Sequence, residues 1–522
     1  MIKITPPAPQ TPMPGTVVDM IRASAQCNPE GEALVCGSAR LTWRTFDERV
    51  NRVANALLAR GVVKGDNIAV LSRNSVPYAE LFIGILRAGA CITPLSTMAS
   101  SEALGKMVKD CGAKMLFLSD SYRELAEPFL PTYPGLKVAI DFKASDFTDY
   151  EAMLAEADTT DPKVPVTLED PVNLIYSSGT TGTPKGILHT HAMRAAQMER
   201  VSPNGYDDNA RTLISTPLYS NTTIVSFLPT LVGRSTVILM PKFDARAWLE
   251  LAEAESVTHT MLVPVQYKRI LDDPEFDRFD LSSMRVKFST SAPLRADVKA
   301  DALKRFPGKL MEFYGLTEGG VVCVLPAHDF PEKLHTVGRP GPNCEVRLID
   351  PEGREVAQGE IGEICGRSPT MMAGYFGRDD LTRDYLWHDE AGQVYFRSGD
   401  MGRFDDDGFL ILSDRKKDMI ISGGLNVYAN DLELELLKDA DVTDAAVIGV
   451  PSEQWGETPL GLVVLRAGAE RGAEDILEAA NRNLGKSHRL ARVEIRDELP
   501  RSSIGKILKK ELRAPYWEPA EK

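Results

Sequence analysis

The sequence predicts an α/β protein: a large N-terminal domain of stacked α/β sheets carrying a small antiparallel β subdomain, followed by a small mobile α+β C-terminal domain. Three observations predict it. Short apolar runs alternate with helical segments up to about position 290, short strands with glycine turns follow Pro340, and mixed helix and strand return beyond Asp414. In the first series, strands are expected over 68–71, 91–94 and 114–118, with helices over 79–88 and 102–111. A second series from Arg211 to Thr290 places strands over 213–216, 237–240, 259–262 and 286–289. Such alternation implies parallel β-α-β units with right-handed crossovers and helices on both sheet faces. Glu345-Val346-Arg347-Leu348-Ile349 then alternates before the turn Pro351-Glu352-Gly353, as an antiparallel strand does. The last part reads helix 431–437, strands 445–450 and 461–465, helix 474–484, strand 492–495 and helix 507–512. The charged run Arg415-Lys416-Lys417-Asp418 separates the parts, giving domains over 1–414 and 418–522 with 415–417 between them.

At 522 residues the chain is too long for a small binding module, and 43% hydrophobic with 26% charged residues is the composition of a folded globular protein. Sixty Lys+Arg against 74 Asp+Glu leave a net charge of -14, which repels a nucleic-acid backbone. No nucleic-acid partner is expected. Apolar stretches such as 81–86 and 237–240 stop well short of the ~20 residues of a bilayer span. The start of the chain lacks the charged and apolar regions of a signal peptide. With seven Cys and no Cys-x-x-Cys pair, the expectation is reduced thiols and a cytoplasmic location.

Chemistry concentrates first in Tyr176-Ser177-Ser178-Gly179-Thr180-Thr181-Gly182-Thr183-Pro184-Lys185-Gly186, directly after the apolar run 172–175. Glycine backbone, hydroxyl donors and one cation together suit a polyphosphate. Lys185 is followed by Gly rather than Ser or Thr, so the segment is not a P-loop. Tyr314-Gly315-Leu316-Thr317-Glu318 packs an aromatic face, a hydroxyl and a carboxylate into five residues. Asp400 ends a strand at the Ser398-Gly399 turn, and Lys506 lies in a glycine-containing loop before the last helix. Lys509, Lys510 and Arg513 are expected on an exposed basic helix face. His189 and His191 have no Cys, Asp or Glu partner at metal-ligand spacing and are expected to pack or cap.

These segments, with Leu41-Thr42-Trp43, Leu86-Arg87-Ala88-Gly89-Ala90, Phe396-Arg397-Ser398-Gly399-Asp400, Gly423-Gly424-Leu425-Asn426-Val427 and Pro500-Arg501-Ser502-Ser503-Ile504-Gly505-Lys506-Ile507, resemble the acyl-adenylate-forming superfamily of acyl-CoA synthetases, luciferases and peptide-synthetase adenylation domains. The likeness spans nearly the whole chain and is strongest to a stand-alone acyl- or aryl-CoA ligase. It implies that 1–414 binds AMP and the acyl group, and that Ser177, Ser178, Gly179, Thr180, Thr181, Gly182 and Lys185 hold phosphates. Tyr314 would stack on adenine, Thr317 would touch the α-phosphate and Glu318 would hold Mg²⁺. Asp400 and Arg415 would take the ribose, and Gly423 and Gly424 would line the thiol's path. Lys506 would supply a cation to the adenylation transition state, and Lys417 would be the hinge. The acyl pocket implied is Tyr219, Ser220, Asn221, Phe313, Gly315 and Val321, with Ser220 standing where many relatives carry His.

The expected activity is ATP-dependent ligation of a small-molecule carboxylic acid to coenzyme A through acyl-AMP, with ATP, Mg²⁺ and coenzyme A as cofactors or co-substrates and a homodimer left open. Ser220 to Leu228 holds no acid to receive a substrate ammonium, and the chain ends at Lys522 without a carrier domain, so coenzyme A is expected as acceptor. Fatty-acid and aromatic-acid metabolism both stay open. Loading of an acyl-carrier protein, oxidation of the adenylate and a catalytically silent adenylate-binding module are the alternatives.

Overall fold

The computed structural model describes residues 4, 6–7, 15–177, 184–415, 418–422, 425–452, 454–484, 489–502 and 505–517. The chain divides into two compact units, one over 1–345 and 366–396, the other over 346–365 and 397–522.

Two large sheets build the first unit. One has eight strands in the order Gly374–Tyr375, Lys185–Thr190, Pro171–Ser177, Cys91–Pro94, Asn67–Leu71, Met115–Leu118, Leu136–Ala139 and Thr148–Asp149. The other has nine, with parallel strands Lys309–Gly315, Val286–Ser289, His259–Leu262, Arg211–Ile214, Thr236–Leu239 and Glu32–Cys36 between antiparallel edges. The central parallel strands, such as Asn67–Leu71, Met115–Leu118, Thr236–Leu239 and Val286–Ser289, are buried along their whole length, as strands covered on both faces are. The edges turn antiparallel where the sequence supplies no crossover helix: Lys185–Thr190 returns directly alongside Pro171–Ser177.

One hydrophobic core joins residues of both sheets, including Leu34, Ile214 and Leu239 with Ile68, Phe117 and Val172. The helices Val76–Arg87 and Asn221–Val232 contribute to that core, and every residue from Tyr78 to Arg87 is buried. The first helix is buried around its whole circumference rather than on one face, and its two charges are paired there, Glu80 with Arg49 and Arg87 with Asp47. Gly84 lets it approach the helix Trp43–Ala59, since a Cβ there would stand 2.5 Å from Val53 Cβ.

The second unit carries the antiparallel pairing of Asp400–Phe404 with Leu410–Arg415 and a separate sheet. That sheet orders Leu425–Val427, Ile420–Ser422, Gly456–Leu465 and Val442–Ser452, with Arg492–Arg496 parallel to Gly456–Leu465. The helices Ala429–Leu436 and Ala473–Asn483 cover its core. The last helix is Lys509–Trp517 rather than 507–512, because Ile507 is held back in a β-bridge with Arg501. The expected exposed basic face holds at Lys510 and is corrected at Lys509 and Arg513. Lys509 is half-buried against Glu433 at 2.7 Å, and Arg513, also half-buried, reaches Asp418 at 2.9 Å. A carboxylate within reach of each offsets part of the solvation those cations lose. Among the described residues no helix is long and apolar enough to cross a membrane.

Candidate active site

The hydroxyl-rich loop joins two antiparallel strands, with Ser177 opposite Lys185 and Tyr176 opposite Gly186. Ser178, Gly179, Thr180, Thr181 and Gly182 lie outside the described residues. Both stems of the loop are pinned. Tyr176 donates its hydroxyl to Asp110 at 2.6 Å, and Arg378 reaches the same carboxylate at 2.8 Å. On the returning stem, Lys185 Nζ donates to the Tyr385 hydroxyl at 3.1 Å and lies 5.0 and 5.8 Å from the ring centroids of Tyr385 and Tyr375. Two electron-rich rings attract the ammonium and hold it in place.

Tyr375 connects that cation to the next motif, because its hydroxyl donates to Glu318 Oε1 at 2.8 Å. Burial, then the Glu318 charge, pushes the Tyr375 phenol far above its usual range, so it stays a donor. The Met372 N–H donates to the Glu318 carbonyl at 2.8 Å, and His189 Nε2 lies 2.7 Å from the Thr317 carbonyl. The turn that follows requires glycine: Gly319 has φ +70°, and a Cβ there would meet the Thr370 carbonyl oxygen at 1.8 Å. Thr317 and Glu318 are thus fixed from the strand Lys185–Thr190 on one side and from residues 370–375 on the other. Tyr314, just upstream on the strand Lys309–Gly315, is 9% exposed.

Around the expected acyl pocket, Tyr219 and Ser220 are buried just before the helix Asn221–Val232. Ser220 stands at the N-cap without a side-chain capping bond. Among the described residues, the Tyr219 hydroxyl and Asn221 Oδ1 are buried without a hydrogen-bond partner. Buried polar atoms left unpaired cost ~1–3 kcal/mol each, which a ligand group can recover. The Phe313 ring stacks on Phe288 at 5.6 Å and lies 5.1 Å from the Arg200 guanidinium. Gly315 approaches the Val321 carbonyl so closely that a Cβ would stand 2.9 Å from it, and Val321 is fully buried.

In the second unit, Asp400 and Arg415 face each other across a strand pair, Nε to Oδ1 3.2 Å apart. The Asp400 N–H donates to Ser398 Oγ at 3.0 Å, which fixes the turn. Lys506 sits in a tight loop: its N–H donates to Ser502 Oγ at 3.1 Å and its carbonyl accepts from the Ser502 N–H at 2.8 Å. Arg501 Nη1 donates to the Gly505 carbonyl at 2.6 Å. Lys417, Gly423 and Gly424 lie outside the described residues.

Sequence reasoning did not find Tyr375, Tyr385, Phe288 or Arg200, and it gave His189 no role at the site. Tyr375 is 57 residues from Glu318 along the chain, and no local pattern joins them. His189 alternates with Lys185 and Ile187 on one strand, so its separation from Lys185 was the available signal.

Residues 21–376 match the AMP-binding enzyme family and residues 431–506 match the AMP-binding enzyme C-terminal domain. A feruloyl-CoA synthase from Amycolatopsis sp is 35% identical over 94% of this chain and 97% of its own length. A fatty acid–[acyl-carrier-protein] ligase, ScoC of Streptomyces coeruleorubidus, is 30% identical over 96% of each chain. Among solved structures, ATP-bound MatB from Rhodopseudomonas palustris superposes with a TM-score of 0.87 at 27% identity, covering 96% of this chain and 99% of that one. With the family matched over most of its length, this chain belongs to the AMP-binding enzymes.

Proposed function

We propose that the chain is an ATP-dependent carboxylic acid:CoA ligase acting on an aromatic acid in the cytoplasm. The observation that carries it is the single cluster in which Tyr385 and Tyr375 tie the Lys185 cation to the Glu318 carboxylate beside the phosphate-loop stems. The free state of all seven cysteines agrees with a reducing compartment. The aromatic preference rests on the stacked Phe288–Phe313 pair and on the feruloyl-CoA synthase relative.

In the first half-reaction a carboxylate oxygen attacks the α-phosphorus of ATP and the bond to pyrophosphate breaks. Lys185 and the loop hydroxyls hold the phosphates, Thr317 and Lys506 stabilise charge on the α-phosphoryl oxygens, and Tyr314, Asp400 and Arg415 hold the nucleoside. Glu318 offers one hard carboxylate oxygen donor, which fits Mg²⁺, a cation that takes one or two carboxylates together with phosphate oxygens and water. When bound, Mg²⁺ would neutralise phosphate charge. In the second half-reaction the thiolate of coenzyme A attacks the acyl carbon, the bond to AMP breaks, and the thiol proton leaves to solvent. Adenylation is what makes this possible, since a free carboxylate repels the thiolate and has no leaving group. The residues 415–417 serve as the hinge that exchanges Lys506 for the Gly423–Gly424 segment between the half-reactions.

ScoC supports one competing acceptor, an acyl-carrier protein. Thioester formation is therefore to be measured over a panel of aromatic and aliphatic acids, with coenzyme A and with phosphopantetheinylated carrier protein. Aromatic acyl-CoA as the fastest product supports the proposal. Turnover only with carrier protein, or only with long-chain acids, replaces it.

A further inference from the structure

The strand Lys185–Thr190 carries a second group directed at the site besides Lys185. His189 is fully buried, and its ring is surrounded by side chains whose polarity leaves one arrangement. Arg194 Nη2 lies 2.7 Å from Nδ1, and Asn173 Nδ2 lies 2.9 Å from it. A guanidinium can only donate. The Asn173 amide is oriented by its oxygen, which accepts from Arg194 Nε at 3.0 Å, so its nitrogen faces the histidine. Arg194 Nη1 is taken by Gln197 Oε1 at 3.0 Å. Two donors on Nδ1 make it the acceptor, which puts the ring proton on Nε2, 2.7 Å from the Thr317 carbonyl oxygen. Burial and then the Arg194 charge also hold His189 well below its usual titration range, in keeping with that geometry.

We propose that His189 is a positioning residue for adenylation: a neutral imidazole of fixed tautomer whose Nε2–H holds the Thr317 carbonyl, and so sets the Thr317 hydroxyl and the Glu318 carboxylate against the phosphates. The inference rests on the functional reading above. It assigns to Asn173, Arg194 and Gln197 the task of fixing the tautomer, as the partner of a ligating or catalytic histidine does elsewhere. Thr317 has no regular secondary structure around it to hold its backbone, since its strand ends at Gly315. An imidazole donor from a rigid neighbouring strand supplies that restraint.

The test compares the wild type with His189→Leu and His189→Gln. Glutamine can present an N–H to Thr317 and an oxygen to Arg194, whereas leucine can do neither. Acid-dependent ATP–pyrophosphate exchange is expected to fall ~10–100-fold in His189→Leu, chiefly in kcat. Thioester formation from supplied acyl-AMP stays close to wild type, and His189→Gln recovers most of the exchange. Independently of activity, nitrogen-15 NMR of histidine-labelled wild-type protein at neutral pH should show a neutral ring protonated at Nε2, with that resonance absent from His189→Gln. If His189→Leu does not fold, the glutamine variant and the NMR signature decide. An active wild type whose leucine variant keeps its exchange kcat, or whose His189 is protonated at Nδ1, overturns the inference alone. A wild type with no acid-dependent exchange overturns the functional reading, and the inference with it.

Discussion

Replacing Tyr375 with phenylalanine removes one oxygen atom from the bridge between Glu318 and Lys185. The ring is 2% exposed and packs edge-on against Tyr385 with centroids 5.7 Å apart, so phenylalanine keeps the same volume and the same neighbours. What is lost is the hydrogen bond of 2.8 Å to Glu318 Oε1. A hydrogen bond to a charged acceptor is worth ~1.5–3 kcal/mol. Expressed wholly in the step that uses an oriented carboxylate, that is roughly a 10–150-fold loss. Folding suffers less, because the partly exposed Glu318 carboxylate regains water, and about 1 kcal/mol or less of stability is expected to go. The assay is acid-dependent ATP–pyrophosphate exchange followed over a Mg²⁺ titration, beside thioester formation from supplied acyl-AMP. Exchange should fall at least ~10-fold with more Mg²⁺ needed for half-saturation, while acyl-AMP consumption stays near wild type. Exchange that keeps its rate and its Mg²⁺ dependence would refute the claim that Tyr375 orients a functional carboxylate.

Three further outcomes follow. His259 is buried between Thr258 Oγ1 at 2.7 Å and the Asn204 carbonyl at 2.8 Å, and burial pulls its pKa down to about 4. Near pH 5 the unfolded chain is protonated at this position and the folded chain is not, so stability falls as pH drops below about 6.5. Urea unfolding at pH 7.5 and 5.0 should show the wild type losing about 2 kcal/mol more over that interval than His259→Gln, and parallel losses would contradict this. Ser220→His would fill space in the proposed acyl pocket and should change relative rates across the acid panel by roughly 10–200-fold while the KM for ATP holds; unchanged acid ratios would remove Ser220 from the pocket. Lys417→Pro fixes φ near -65° at the proposed hinge, so adenylation should persist while thioester formation slows, and normal acyl-CoA production would exclude that position as the hinge.

What was legible in the chain was what local pattern can encode. The helix expected over 79–88 is present as Val76–Arg87, though buried all round rather than on one face, and the strands His259–Leu262 and Val286–Ser289 stand at the expected bounds. The Thr317–Glu318 pair and the loop stems at Ser177 and Lys185 were marked by composition. What escaped was every relation made by folding two distant segments together. Tyr375 reaches Glu318, Phe288 reaches Phe313 and Lys509 reaches Glu433 across long stretches of chain, and no periodicity records such a pairing. His189 is buried, as a packing residue is, and its hydrogen bonds to Asn173, Arg194 and the Thr317 carbonyl come from distant segments that no local pattern joins. The last helix starts at Lys509, two residues after the apolar Ile507 suggests, because the Ile507 backbone is committed to Arg501.

The central claim is that a carboxylate oxygen becomes bonded to the α-phosphorus of ATP. Supplying an aromatic acid labelled with oxygen-18 in its carboxylate, with MgATP and coenzyme A, and weighing the nucleotide product tests that bond directly. AMP carrying one heavy oxygen is expected, released with unlabelled pyrophosphate and acyl-CoA. Unlabelled AMP, or ADP as the stable product, would contradict it.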